Sequence, residues 1–164
     1  MPELPESMLQ KDRLPDQNFA PEEHLYRRVR PDDWDDEEIE LDAIDFPDMS
    51  VTRQKYGKPD SARWVGANYL NWGVIGFQVQ DIPREIPFQG AVIYRMRPVH
   101  MPNKRNYPHS EVQVFEAPWD QQHREKHLDK ASMPGVPREA QQEWRERLRR
   151  ASRAVLRPGE DDVE

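Results

Sequence analysis

Cysteine is absent from the chain. Its absence excludes disulfides, thiolate nucleophiles and Cys-based zinc sites. It fits a reducing compartment, so a cytoplasmic location is expected. No apolar run approaches the ~20 residues that a membrane helix needs. The segment Met1 to Glu6 is acidic and broken by Pro2 and Pro5, unlike a signal peptide. No membrane association is expected. Basic excess is also missing: the net charge is −7, which argues against nucleic acid as a partner. The chain carries no P-loop, dinucleotide fingerprint or nucleophile elbow, so no cofactor is expected. The acidic stretch Asp32 to Asp48 lacks the central Gly of a calcium loop. His123 and His127 share a helical spacing, but Arg124 stands where a zincin motif needs Glu, and no metal is expected.

What is present suggests one domain of 164 residues. Hydrophobic residues make up 35% and charged residues 34%, with 16 Pro, so not all of the chain is available for a core. Five Trp, five Tyr and five Phe argue against full disorder. Residues 1–23, with Pro2, Pro5, Pro15 and Pro21, read as an extended or disordered arm. Residues 24–118 read as an α+β core domain, 119–157 as C-terminal helices and 158–164 as an acidic tail.

The core is expected to be a small, mostly antiparallel sheet with one inserted helix. Strand signals fall at His24 to Val29, at Ile39 and Leu41, and at Met49 to Arg53. Others fall at Gly73 to Ile82, Ala91 to Arg97 and Glu111 to Glu116. Asp60 stands where it would cap a helix over 61–70, with Trp64, Val65 and Tyr69 as buried positions. Two C-terminal helices are expected. The first covers Trp119 to Ala131, capped by Asp120. The second covers about 138–155, where Ala140, Trp144, Leu148, Ala151 and Val155 form one apolar stripe.

The most suggestive chemistry lies in Asn106-Tyr107-Pro108-His109-Ser110-Glu111, a loop that ends on a strand. His109 is a candidate acid–base group and Glu111 its orienter or a base, since positions 109 and 111 face the same side of a strand. A surface pair accounts for the same residues. Arg27, Arg28 and Arg53 are candidate anion ligands, with Tyr107 beside them. Strand alternation sends Arg27 and Arg28 to opposite faces, so one of them at most enters a cleft. Pairing with the acidic stretch is the competing role for these cations. Ser50 is a third candidate for catalysis. The helical stripe must be buried either on its own domain or in a partner's groove, which makes Trp144, Leu148 and Val155 candidate partner-binding residues.

The ordered segments Leu25-Tyr26-Arg27-Arg28-Val29, Met49-Ser50-Val51-Thr52-Arg53, Gly73-Val74 and His109-Ser110-Glu111-Val112 resemble a widespread set of small uncharacterised bacterial proteins. That resemblance covers about 25–115 and implies a bacterial or phage origin. A looser similarity is to ADP-ribosyltransferase-like folds, which place an Arg or His, then a Ser, then a Glu on successive strands. Arg27 or Arg28, Ser50 and Glu111 follow that order, with Ser50-Val51-Thr52 where those folds have Ser-Thr-Ser.

Two functions follow as expectations. The first is a binding or accessory module in a bacterial multi-protein system, contacting a partner protein through its arm and C-terminal helix, with homo-oligomerisation open. The alternative is a nucleotide- or NAD-directed transferase or hydrolase using Arg28, Ser50, His109 and Glu111. In it an Arg binds phosphate, Ser50 positions the ribose side, and His109 or Glu111 is the acid–base group. Convergence of these side chains in one cleft separates the two.

Overall fold

A computed structural model describes residues 3–36, 38–121 and 123–161. Met1, Pro2, Glu37, Gln122 and 162–164, the end of the expected acidic tail, lie outside the described residues. In chain order the strands are β1 (His24–Val29), β2 (Trp34–Asp35), β3 (Glu38–Ile39), β4 (Met49–Arg53) and β5 (Gly73–Gln78). They are followed by β6 (Ile86–Phe88), β7 (Val92–His100), β8 (His109–Pro118) and β9 (Lys126–His127). Helix α1 (Arg138–Ala151) and β10 (Arg153–Leu156) complete the chain. Strands β2 and β3 form a small hairpin. The others make one curled sheet in the order β10-β5-β1-β4-β8-β7-β6, with β9 alongside β8. Every pairing is antiparallel. The fold is therefore mixed α and β, as the alternating patterns imply.

Register divides the side chains between two faces. One face carries Leu25, Met49, Val51, Ile75, Phe77, Met96, Val112 and Val114, all buried. Helix α1 lies against this face through Ala140, Trp144 and Leu148, each at 0% exposure. The Trp144 ring meets Phe46 and Tyr94 edge-on, at 5.6 and 4.9 Å between centroids. The opposite face carries Tyr26, Arg28, Ser50, Thr52, Val74, His109 and Glu111. A small hydrophobic cluster of Tyr26, Ala62, Val74 and Leu156 is buried there.

Three expected helical segments differ from what is observed. In place of a helix over 61–70 there are two 3-10 turns, Pro59–Arg63 and Ala67–Tyr69. Gly66 is extended at φ −165, which interrupts a segment too short to sustain α-helix. Asp60 caps nothing there; its carboxylate pairs with Arg63. The described residues of Trp119 to Ala131 are not helical either. Lys126–His127 pairs with Phe115 and Glu116, and Leu128 N donates to the Val114 carbonyl at 2.9 Å. Glu125 bonds Arg95 and Arg97, both at 2.8 Å, and His127 bonds Asp48 at 2.8 Å. A segment with no helical apolar stripe thus takes its partners from the sheet, and tertiary contacts override propensity. The last helix stops at Ala151. Residues 153–156 instead pair with β5, whose outer edge would otherwise be open.

The acidic stretch and the Arg-rich helix meet within one molecule. Arg149 bonds Glu146 at 2.9 Å and is held above its ordinary value, first by that bond and further by Glu38 and Glu40 of the β2–β3 hairpin. Arg145 Nε donates to the Ile44 carbonyl at 3.0 Å. Trp34 of the same hairpin lies so close over Gly73 that a Cβ there would sit 2.3 Å from the indole, so β5 needs glycine at this point.

Candidate active site

Strands β1 and β4 pair only through Leu25–Arg53 and Tyr26–Thr52 and then diverge, while β1 stays paired with β5 along its length. On the core side Arg27 fills the divergence. Its Nε donates to the Ala43 carbonyl at 2.9 Å and its Nη1 to the Ser50 carbonyl at 3.1 Å. The guanidinium thus supplies donors to both carbonyls where β1 and β4 have parted. Burial pushes Arg27 down to about 10, with Asp45 opposing, so it remains charged at neutral pH.

On the other side of the sheet lies a cleft of about 480 Å³. Its floor is Arg28 of β1, Ser50 of β4 and His109 of β8. The 3-10 segment contributes Trp64, Val65 and Tyr69, the 101–108 loop contributes Asn103, Arg105 and Asn106, and the arm contributes Leu4. Among the described residues no carboxylate lines it, in a chain of net charge −7. Low-charge walls around two guanidinium groups focus a positive potential on the cleft.

His109 is oriented from both ring nitrogens. Nδ1 lies 2.8 Å from the Met101 carbonyl oxygen, which only accepts, so Nδ1 carries the proton. Nε2 is then the acceptor for the Ser50 hydroxyl, 3.3 Å away. A nucleophile beside a base that is oriented by a third group is the arrangement that activates a hydroxyl. Arg28 Cζ lies 4.1 Å over the Tyr69 ring, and among the described residues no carboxylate pairs with it. The ring positions the guanidinium by a cation–π contact while its donors stay available to an anion. Glu111 pairs in register with Ser50, one step from His109 on the same face. Its carboxyl is raised above the ordinary 4.5, first by burial and then by Asp48, against the pull of His109 and His127. It sits beside the cleft rather than in its lining.

Of the candidate residues, Arg28, Ser50 and His109 converge and Glu111 flanks them. Arg27, Arg53 and Tyr107 do not reach the cleft. Arg53, at 0% exposure, bonds both oxygens of Glu23 at 3.0 and 2.8 Å, together with the carbonyls of Asp16 and Asn18. Tyr107, at 3% exposure, donates its hydroxyl to the Leu14 carbonyl at 2.7 Å. Both serve to seat the arm. Trp144 and Leu148 face the chain's own sheet and are closed to a partner, because their stripe is the main cover of the core. Val155 alone of that group stays at the surface, at 37% exposure, since it leaves the helix for strand β10.

Sequence reasoning did not pick out Arg105 or Asn103, named Asn106 only as the first residue of the His109 cluster, and placed Trp64 and Tyr69 in a helix. The available signal was the Pro- and Asn-rich loop just before His109, a segment suited to lining a site. Among the described residues no group of three or more His, Asp or Glu is placed to hold a metal ion, and no helix is long and apolar enough to cross a membrane. In comparisons with known proteins, no family model, curated protein or solved structure matches the chain.

Proposed function

We propose that the cleft is the active site of a transferase or hydrolase acting on a phosphorylated, nucleotide-type substrate. The observation that carries this reading is the Ser50–His109 hydrogen bond inside a carboxylate-free cleft floored by Arg28. Arg28 and Arg105 take the phosphate, and Trp64 offers a ring against which a base stacks. Ser50 Oγ forms a bond to the electrophilic centre beside the phosphate as His109 Nε2 takes its proton. The leaving group departs with the bonding pair and collects that proton. Water, deprotonated by the same imidazole, displaces Ser50 Oγ, which regains its proton from His109. A hydroxyl acceptor in place of water makes the reaction a transfer. Glu111 favours the imidazolium that forms transiently within each step. The occurrence of Arg28, Ser50 and Glu111 on neighbouring strands β1, β4 and β8 also supports the similarity to ADP-ribosyltransferase-like folds.

The test is a calorimetric screen of nucleoside mono-, di- and triphosphates and NAD, followed by turnover of whichever binds. Binding that is lost in Arg28→Ala, with turnover lost in Ser50→Ala and His109→Ala, is expected. Turnover unchanged in both of the latter would remove the assigned roles. The module reading retains Val155 on the outer edge strand and Leu14, 81% exposed on the arm. Loss of a co-purifying protein on Val155→Asp or Leu14→Asp, with the fold intact, would favour it.

A further inference from the structure

The arm is tied to the cleft through one buried histidine. His100, at 2% exposure, ends β7 on the core side of the sheet. Its Nδ1 accepts from the Asp16 backbone N–H at 2.8 Å, and its Nε2 donates to the Tyr107 carbonyl at 2.7 Å. An N–H on one side and a carbonyl on the other leave a single consistent state, the neutral ring with the proton on Nε2. Gln17 closes on the same residue, accepting from His100 N at 2.9 Å and donating to His100 O at 3.0 Å.

The groups around the ring come from three places. From the arm, Asp16 lies against it, and Arg13 stacks on Tyr107 at 3.7 Å. From β4 and the turn after it come Arg53, already bonded by Glu23, together with Lys55 and Tyr56. Tyr56 stacks on the imidazole at 5.6 Å, and the loop's Tyr107 meets it edge-on at 4.9 Å. The Asp16 carboxylate is engaged by Lys55 at 2.8 Å and Tyr56 at 2.6 Å, so it is not free to turn toward a new proton on Nδ1. A proton there would face the Asp16 N–H, donor against donor.

We propose that His100 is a positioning residue that latches the N-terminal arm to the 101–108 loop when neutral and releases the arm when protonated. The arm and loop are joined beyond the latch by Tyr107 N to the Met8 carbonyl at 2.7 Å and Gln10 N to the Lys104 carbonyl at 2.9 Å. That loop carries Arg105 and Asn106 and leads into His109, and the arm's Leu4 is a wall of the cleft. Release therefore opens one wall and loosens the loop that holds the base. Only this consequence rests on the cleft being the working site; the latch does not. Burial, and after it Arg53, lowers His100 below its ordinary 6.5, against the Tyr107 carbonyl and Asp16. The unfolded or released form then binds more protons, so the latch holds above about pH 6.5 and weakens as pH falls below it.

Two measurements on the full, ligand-free chain test this. Imidazole nitrogen shifts at pH 7.5 are expected to show the Nε2–H tautomer at His100; the Nδ1–H tautomer would overturn the proposal without any variant. Hydrogen exchange, corrected for intrinsic rates, is expected to show protection of residues 4–18 falling at least about tenfold between pH 7.5 and 5, ahead of the sheet. In His100→Gln, which keeps one donor and one acceptor but does not titrate, arm protection is expected to stay level across that range. An equal fall in wild type and variant, or an arm that loosens only with the sheet, would refute the latch. Because neither readout uses a substrate, failure of the catalytic reading leaves both results interpretable.

Discussion

His109 Nε2 lies 3.3 Å from Ser50 Oγ across adjacent strands, with the opposite ring nitrogen fixed on the Met101 carbonyl. Both residues sit on the sheet face opposite helix α1. The first prediction concerns this pair. His109→Ala and Ser50→Ala are expected to lower turnover by roughly 10²–10⁴-fold, the usual contribution of a positioned acid–base group. Both should leave substrate affinity and the urea midpoint nearly unchanged. Mass spectrometry of a quenched reaction is expected to find an adduct on Ser50 in the wild type and none in Ser50→Ala.

The Arg28 guanidinium carbon lies 4.1 Å over the Tyr69 ring. Arg28→Ala should weaken binding of a phosphorylated ligand by about 10–100-fold, the loss of one charge-assisted contact of ~1.5–3 kcal/mol. Arg28→Lys should recover little of it, because an ammonium neither stacks flat nor presents a fork of donors. Calorimetry on these two variants and on Arg105→Ala checks the point. Recovery by Lys would indicate a diffuse charge effect in place of a shaped anion site.

The sheet was largely legible because its strands announce themselves by local pattern. His24–Val29 and Met49–Arg53 were recognisable by composition, and their ends are marked by Pro31 and Gly57. Three candidates for the site were legible for the same reason: strand alternation places Arg28, Ser50 and His109 on faces that registry can then bring together. Registry itself is set by long-range pairing, such as Thr52 with His109, and no local pattern encodes it. The missed elements are those in which distant partners decide. Lys126–His127 looks helical alone and becomes a strand because Phe115 and Glu116 are beside it. Arg53 and Arg28 look alike in sequence. One is spent on Glu23 and the other faces a cleft, a difference made by an arm 30 residues upstream of Arg53.

Helix α1 has a structural role that a partner-binding reading would miss. Trp144→Ala is expected to cost about 3–5 kcal/mol, since it removes a fully buried ring and leaves Phe46 and Tyr94 facing a cavity. Deletion of 138–164 should prevent cooperative unfolding altogether, because it uncovers the core face and opens the outer edge of β5. Chemical denaturation followed by tryptophan fluorescence measures the first, and near-ultraviolet circular dichroism the second. A truncated chain that keeps the wild-type midpoint would return the helix to the list of free contact surfaces.

Glu111 gives the sharpest separation between a site residue and a stabilising one. Its carboxyl is raised by burial and by Asp48, so the folded state prefers it protonated. For an acid with a raised folded value, the folded chain binds the proton more tightly than the unfolded one. Stability is then unaffected well below pH 4.5, falls as pH rises through the window above 4.5, and stays reduced at neutral pH. Glu111→Gln removes the charge while keeping the shape. It should raise the urea midpoint at pH 7 and have no effect on it near pH 3.5. The same substitution should lower turnover at pH 7, because the imidazolium at His109 loses a nearby anion. Greater stability with lower activity is the pattern of a group kept for chemistry at the expense of the fold. A variant that is less stable at pH 7, or one equally active, would show instead that Glu111 is held for structure or for neither purpose.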